Sequence, residues 1–465
     1  MYEAFYPELF LSLAVLVLVI YGIYQPTLKT AIIVLLVTGL MALPNEQFIF
    51  WEDKTLDLTN GLLTINSWIS ITKLIIIVGS ISILLMLKDT NILGQASFDS
   101  PVLILIVALG SVLLVSSINW LSVYLAIELQ TLSLFILTAL KRDSAYGAEA
   151  GLKYFVLGAL SSGLFLFGCA LLYGLTGETS IHASGQICAL TSNGETGKIL
   201  ITISLLFKLS AAPFHMWAPD VYEGAPTTIT ALLAIVPKVG VFAILVQIGP
   251  VVNVLLVSAI LSMIYGAIGA LNQTKIKRLL AYSGIGHMGF VLLGVTIGSF
   301  ESIQASLVYM IIYVIMSICS FSIILTLGLT KNLIVEFSGL SRRHPIMAVT
   351  LAFTLLSIAG IPPLAGFFSK WLVLLCGISS QYYLTSIVAV LCSVIAGVYY
   401  VRIVKIIYFQ AESSLLIWKD ILIGDKRGEF RRSILIGLTL YIILFIMISP
   451  NLLLQITHDA TMGLY

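Results

Sequence analysis

Charge is what this sequence has least of. Only 10% of its 465 residues are Asp, Glu, Lys or Arg, against about 25% in globular domains. With 59% hydrophobic residues and a mean hydropathy of +1.07, the chain has more apolar side chains than a soluble core could hide. The formal net charge is +2 and the cations are scattered among loops, so no basic stripe exists to bind nucleic acid. The five cysteines, Cys169, Cys188, Cys319, Cys376 and Cys392, show no CxxC spacing, which argues against iron–sulfur and zinc sites. A P-loop is missing, and the GxG at Gly284–Gly286 lies inside an apolar run and is followed by His287, so no nucleotide fingerprint is present. No cofactor is expected in this chain. The opening MYEAFYPE is acidic and no cleavage site follows it, so no cleavable signal is expected.

What is there is a series of apolar runs. Measured against the roughly 20 residues a helix needs to cross a bilayer, fourteen segments qualify, at 7–24, 28–44, 67–87, 101–117, 119–140, 153–175, 198–218, 226–247, 250–271, 278–297, 302–328, 345–378, 382–409 and 433–456. The expected fold is all-α and polytopic, with about fourteen transmembrane helices. Pro213 interrupts the seventh segment and Pro362–Pro363 the twelfth; proline removes a backbone donor and breaks a helix, so helices 7 and 12 are expected to be discontinuous. If the helices alternate, nearly all loop cations, from Lys29 to Arg432, fall on one side, and only Lys54 and Lys198 on the other. That bias satisfies the positive-inside rule and places both termini outside. The 219–225 loop, with Asp220 and Glu223 but no cation, is then an inside loop.

Six cations remain within the spans: Lys73, Lys208, Lys238, Lys370, Arg402 and Lys405. Arg402 and Lys405 stand in the last turns of helix 13, within snorkelling reach of the interface. Lys73 lies two turns into helix 3, where pairing with a neighbouring helix and carrying a proton are equally open. Lys208, Lys238 and Lys370 are too deep to snorkel, and an ionised group at the bilayer centre costs roughly 2.5–3.5 kcal/mol on insertion scales. Against them stands one deep carboxylate, Glu128. At 1.5 Å per residue, Glu128, Lys208 and Lys238 all sit roughly 14–18 Å into their helices, near the midplane, and His287 lies at similar depth. Such a layer of titratable groups suits proton relay better than solute binding, which needs convergent groups of mixed type. For His287 a purely local hydrogen-bonding role is also open.

The breaks LSAAPF and IAGIPP are five helices apart. A five-helix unit repeated as helices 4–8 and 9–13 must therefore be inverted, and inverted repeats with broken helices at corresponding places point to paired half-channels. The expected divisions are an N-terminal three-helix segment (1–100), a first repeat (101–248), a second, inverted repeat (249–410), and an inside loop with helix 14 (411–465). Lys208 precedes its break while Lys370 follows its own, so the lysines are expected on opposite sides of their bends.

LAIELQ, LFKLSAAPFHMWAPDVYEGAPT, TKIKRLLAYSGIGHMGF and GIPPLAGFFSK together resemble the subunit 2 family of respiratory NADH:quinone oxidoreductase (complex I), one of its three antiporter-like membrane subunits. The resemblance covers helices 4 to 13. It implies that Glu128 and Lys208 are the coupled acid and base of a central axis, Lys238 the bridge to the second half and Lys370 the terminal lysine; a lysine at the last position matches subunit 2. A proton taken up inside would charge Lys208 and pass through Lys238 and internal water towards Lys370, driven by quinone reduction elsewhere in the complex. His215, Asp220 and Glu223 are the candidate uptake groups, the alternative being that APDVYEGAP is only a tight loop capping helix 8. Implied partners are the other membrane subunits, including the antiporter-like ones, the lipid bilayer, protons and internal water. Alternatives are a subunit of a sodium/proton antiporter or membrane-bound hydrogenase, and a purely structural subunit of the membrane arm. AIELQ, FHMWAPD and TKIKRLLAYS look closer to plant-like or protist mitochondrial versions than to bacterial ones, so the mitochondrial inner membrane is the expected location, with the bacterial plasma membrane as the alternative.

Overall fold

A computed structural model of the chain describes residues 5–22, 24–43, 62–87, 96–141, 144–181, 183–185, 194–249, 251–329, 331–410 and 430–464. Cys188, Lys54, Lys88, Arg142, Lys419, Lys426 and Arg427 lie outside these. The described residues form helices α1 (Tyr6–Tyr21), α2 (Leu28–Met41), α3 (Ser67–Met86), α4 (Ala96–Ser116), α5 (Trp120–Thr138) and α6 (Ala145–Thr176). There follow α7a (Gly194–Lys208), α7b (Trp217–Gly224), α8 (Thr227–Ile248), α9 (Val252–Ala270), α10 (Ile276–Ile297) and α11 (Phe300–Leu327). After two short helical turns, Ile334–Phe337 and Leu340–Arg343, come α12a (Pro345–Ala359), α12b (Ala365–Ser379), α13 (Tyr383–Phe409), α14a (Phe430–Phe445) and α14b (Asn451–Met462). Among the described residues, nine of these helices, α3 to α6, α8 to α11 and α13, are long and apolar enough to cross a membrane singly. The split helices α7a–α7b and α12a–α12b, with α1, α2 and α14a, complete a fourteen-crossing arrangement.

Both expected breaks are present, with their cause in the local backbone. The residue before a proline is biased away from the α region, and Pro213 accordingly stops the helix early: α7a ends at Lys208, Ser210 turns to φ +60, and the Ala211 N–H reaches back to the Leu206 carbonyl at 3.0 Å. In the twelfth crossing the turn falls to Gly360, at φ +85, a left-handed conformation that glycine adopts without penalty. Two boundaries differ from the sequence reading. The 219–225 stretch is not a loop, because Trp217–Gly224 is helical; Pro219 sits in the first turn, where the backbone N–H groups have no intrahelical partner to lose. The last segment is two helices rather than one, with Pro450 as the cap of α14b.

Short contacts between chain ends agree with the alternation of sides. Leu63 bridges Ser117 and Asn119 bridges Ser180 at the outer ends, while Lys275 bridges Leu333 at the inner ends. At the centre is α8, every residue of which is buried from Ile229 to Leu245. It packs against α3, α4, α7a, α10 and α11. Gly79 of α3 permits that approach, since a Cβ there would sit 2.9 Å from Ile235, and the Trp68 ring meets Phe242 at 5.9 Å. Between α9 and α10, Gly266 lies directly on the backbone of Gly286, the close contact that small residues allow between helices in a membrane.

A further carboxylate is buried near a helix end. Glu8 of α1 is 5% exposed and forms an ion pair with Lys73 of α3, which is 3% exposed. Standing in the first turn of the first apolar run, Glu8 reads from sequence as an interfacial residue; the packing of α3 and α1 around α2 and α4 buries it. Arg402 and Lys405 are exposed at the inner end of α13, as snorkelling requires.

Candidate functional site

The five groups expected at the midplane lie on α5, α7a, α8, α10 and α12b. Glu128 on α5 is partly exposed, and its Oε1 is buried without a hydrogen-bond partner. It is an electrostatic neighbour of Lys208, yet no direct ion pair joins the two. Instead the Lys208 ammonium, at the very end of α7a and 8% exposed, donates to the Gly158 carbonyl of α6 at 3.4 Å. That carbonyl also accepts from Ser161 Oγ at 2.7 Å. Lysine side chains in a helix lean towards its N-terminus, which turns Lys208 away from the break and onto α6.

Lys238 is 1% exposed. Its Nζ donates to Tyr313 Oη at 3.4 Å and lies over the rings of Tyr313 and Tyr222, 5.5 and 5.9 Å from their centroids. Cation–π contact of this kind partly replaces hydration for a buried ammonium. The preceding Pro237 removes one helical donor inside α8. Gly284 of α10 leaves the room, because a Cβ there would lie 3.2 Å from both Lys238 Nζ and Tyr313 Oη.

His287 continues the series. Its Nδ1 is 2.7 Å from Tyr309 Oη, and its ring lies 5.6 Å from that of Tyr313. A cavity on one side of His287 is lined by Ser283, Tyr313, Ser317 and Ser320; a second, on the other side, by Ser283, Lys370, Tyr399 and Tyr400. His287, Ser283 and Ile358 line both. Lys370, 7% exposed, sits over the Phe290 ring at 5.6 Å and donates to the carbonyls of Ile358 and Ala359 at 3.2 and 2.7 Å. The structure therefore brings His287 and Lys370 to one pair of adjoining cavities, and Lys238 reaches the first of them through Tyr313. Lys208 stands against α6, one helix away.

Tyr309 and Tyr313 were not singled out from sequence. Their signal is a pair of hydroxyls four residues apart in VYMIIYVIM, hence on one face of an otherwise apolar helix.

Asp220, Glu223 and His215 are gathered elsewhere, around α7b at the inner end. Asp220 meets Lys153 at 2.8 Å and Arg278 at 3.3 Å; Glu223 meets Arg278 at 3.1 Å and pairs with Lys275. Lys277 donates to the Ala225 carbonyl at 2.8 Å, closing the end of α7b. The TKIKR run of α10 thus grips α7b with three cations. His215, in the break, packs on the Tyr265 ring at 5.2 Å, and its Nδ1 is buried without a partner. Among the described residues no group of three or more His, Cys, Asp or Glu side chains is gathered as a metal site would require, and Cys169, Cys319, Cys376 and Cys392 are unpaired.

Residues 117–396 match the family model described as NADH:quinone oxidoreductase/Mrp antiporter, TM. Over 381 residues, 80% of this chain and 98% of the relative, the sequence is 69% identical to "NADH-ubiquinone oxidoreductase chain 2" of Metridium senile. The chain belongs to the NADH-ubiquinone oxidoreductase chain 2 family. As a chain 2 protein it is an antiporter-like membrane subunit of complex I, part of an oxidoreductase assembly. The chain 2 protein of Marchantia polymorpha is 36% identical, with 99% of this chain and 98% of that one covered. A chain of respiratory complex I from Thermus thermophilus superposes with a TM-score of 0.84 at 26% identity, covering 97% of this chain and 98% of that one.

Proposed function

We propose that this chain carries protons across the membrane for complex I, through a lateral relay running Glu128, Lys208, Lys238, His287 and Lys370. The observation that carries the reading is the gathering of buried titratable groups in the second half: Lys238 on Tyr313, Tyr313 against His287, His287 on Tyr309, with Lys370 across the adjoining cavity. A static ion pair would need one partner for each lysine. Here three buried lysines face one unpaired carboxylate, and each rests on a neutral acceptor, a carbonyl or a hydroxyl. Each ammonium is thus held by neutral groups without a direct ion pair, as a station that takes up and passes on a proton requires.

In sequence, a proton taken up on the inner side charges Lys208, which swings from the Gly158 carbonyl towards Glu128. When that pair separates, the proton moves through Lys238 and the hydroxyls around His287 to Lys370. His215 supplies the uptake group, with its free Nδ1 in the break. Asp220 and Glu223 line the same mouth, held by Lys153, Lys275 and Arg278. Quinone reduction elsewhere in the complex supplies the free energy, and the redox centres belong to other subunits. The relatives' place in complex I implies other membrane subunits as partners, antiporter-like ones among them, and the 69% match to a ubiquinone-linked chain 2 supports the mitochondrial inner membrane. Residues 101–248 and 249–410 are the two half-channels of this scheme.

The test is Glu128→Gln in the assembled complex, with proton uptake by sealed vesicles measured against NADH oxidation. Loss of pumping with intact assembly is expected. Pumping equal to the unmodified complex would leave the chain a structural part of the membrane arm.

A further inference from the structure

Tyr222 is used by none of the steps above, yet it lies between them. It is 2% exposed, and its hydroxyl is buried with no hydrogen-bond partner in the protein. Successive helical residues turn about 100°, so Tyr222 projects about 200° from Asp220 and points into the bundle while Asp220 faces the inner-side cations. Its ring is one of the two under the Lys238 ammonium, and its hydroxyl is an electrostatic neighbour of both Tyr313 and Tyr154. Tyr154 in turn meets the Trp217 ring at 4.9 Å, tilted by 32°, and stands one turn from Gly158, where Lys208 is held.

The polar accounting here is incomplete on both sides. A lysine ammonium has three donors, and Lys238 makes one protein hydrogen bond, to Tyr313. A buried hydroxyl without a partner destabilises the fold, so phenylalanine would serve better if only the ring mattered. Buried polar groups in native proteins are bonded to protein or to ordered water, and a water with two or more polar partners is the usual solution. Tyr222 Oη, Lys238 Nζ and Tyr313 Oη are three such groups: Nζ lies 3.4 Å from Tyr313 Oη and over the Tyr222 ring.

We infer that Tyr222 is a positioning residue of the relay: its hydroxyl, together with Lys238 and Tyr313, holds a water molecule that passes the proton between the Lys208 and Lys238 stations. The inference rests on the relay reading above and extends it to a residue of α7b. That short helix is pinned by Lys153, Lys275, Lys277 and Arg278, which fixes where the hydroxyl stands.

The experiment uses whole complex I in sealed vesicles, carrying Tyr222→Phe or Lys238→Ala. Tyr222→Phe keeps the ring and removes the oxygen. It is expected to slow NADH-driven proton translocation about tenfold, the rate equivalent of one lost hydrogen bond in the transfer step, with normal assembly and an increased solvent deuterium isotope effect. Wild-type pumping and isotope effect in Tyr222→Phe, with pumping lost in Lys238→Ala, overturn the role of Tyr222 alone. Wild-type pumping in Lys238→Ala overturns the relay itself, and this inference with it. Should Tyr222→Phe fail to assemble, a high-resolution map of the unmodified complex decides: ordered water within hydrogen-bonding distance of Tyr222 Oη and Lys238 Nζ supports the assignment, and a dry contact there refutes it.

Discussion

Lys370 donates to the carbonyl of Ala359 at 2.7 Å, eleven residues back across its own helix break. Ala359 is the last residue of α12a, as Lys208 is the last of α7a. From sequence the two lysines fall on opposite sides of their bends. In space both are tied to the end of the first half-helix, Lys208 by the chain and Lys370 by its hydrogen bonds. The C-terminal end of a helix carries about half a negative charge, which favours a cation while providing no fixed anion to trap it.

Gly360 makes that arrangement fit. Its φ is +85, and a Cβ would stand 2.8 Å from Lys370 Cδ and 2.9 Å from Nζ. Gly360→Ala is expected to cost about 1–2 kcal/mol of backbone strain and to push the ammonium off the Ala359 carbonyl. Proton pumping should fall further than assembly, as measured by vesicle acidification against the amount of complex on a native gel.

The buried pair of Glu8 and Lys73 predicts a different pattern. Removing one member strands a buried charge at a cost of about 3–5 kcal/mol, whereas replacing both with apolar groups is often neutral. Glu8→Leu and Lys73→Met are each expected to lower the thermal stability of the complex, and the double variant to recover it. Pumping normalised to assembled complex should be unchanged in the double variant. A pumping loss there would make this pair a transport site.

On the inner side, Asp220 and Arg278 are about one-third exposed and 3.3 Å apart. Exposed pairs contribute about 0–1 kcal/mol each and weaken with salt. A double-mutant cycle of Asp220→Asn and Arg278→Gln should give a coupling of that size, smaller at high ionic strength. A larger, salt-insensitive coupling would show that the network acts as one buried unit.

His287 and Tyr309 form one hydrogen-bonded pair, at 2.7 Å. Tyr309→Phe leaves the His287 ring with an unmet polar atom and removes a hydroxyl from the path between the two cavities. Pumping is expected to drop several-fold, roughly the effect of one lost hydrogen bond, while NADH oxidation by the detergent-solubilised complex is less affected. Equal effects on both would place the pair in structure and not in transfer.

Most of the architecture was legible in the sequence because apolar length and proline position are local signals. The fourteen crossings and the two breaks follow from runs of residues and from Pro213, Pro362 and Pro363. The candidate site was legible to the extent that ionisable groups in apolar helices stand out: Glu128, Lys208, Lys238, His287 and Lys370 are visible for that reason. Tyr222, Tyr309 and Tyr313 were not, since a tyrosine in an apolar run reads as another aromatic until a neighbour from a different helix reaches its hydroxyl. Glu8 escaped because its burial depends on α3. The helix α7b read as a loop because Pro219 and Gly224 are turn residues by composition, and only the grip of Lys275, Lys277 and Arg278 shows it as a fixed element.

The central claim is that Lys208 carries a proton. The most direct measurement is the number of protons taken up per NADH oxidised by sealed vesicles containing complex I with Lys208→Ala, compared with the unmodified complex at equal assembly. A clear loss of proton uptake is predicted, with the flavin and iron–sulfur subunits still co-isolating. An unchanged proton-to-NADH ratio would contradict the account.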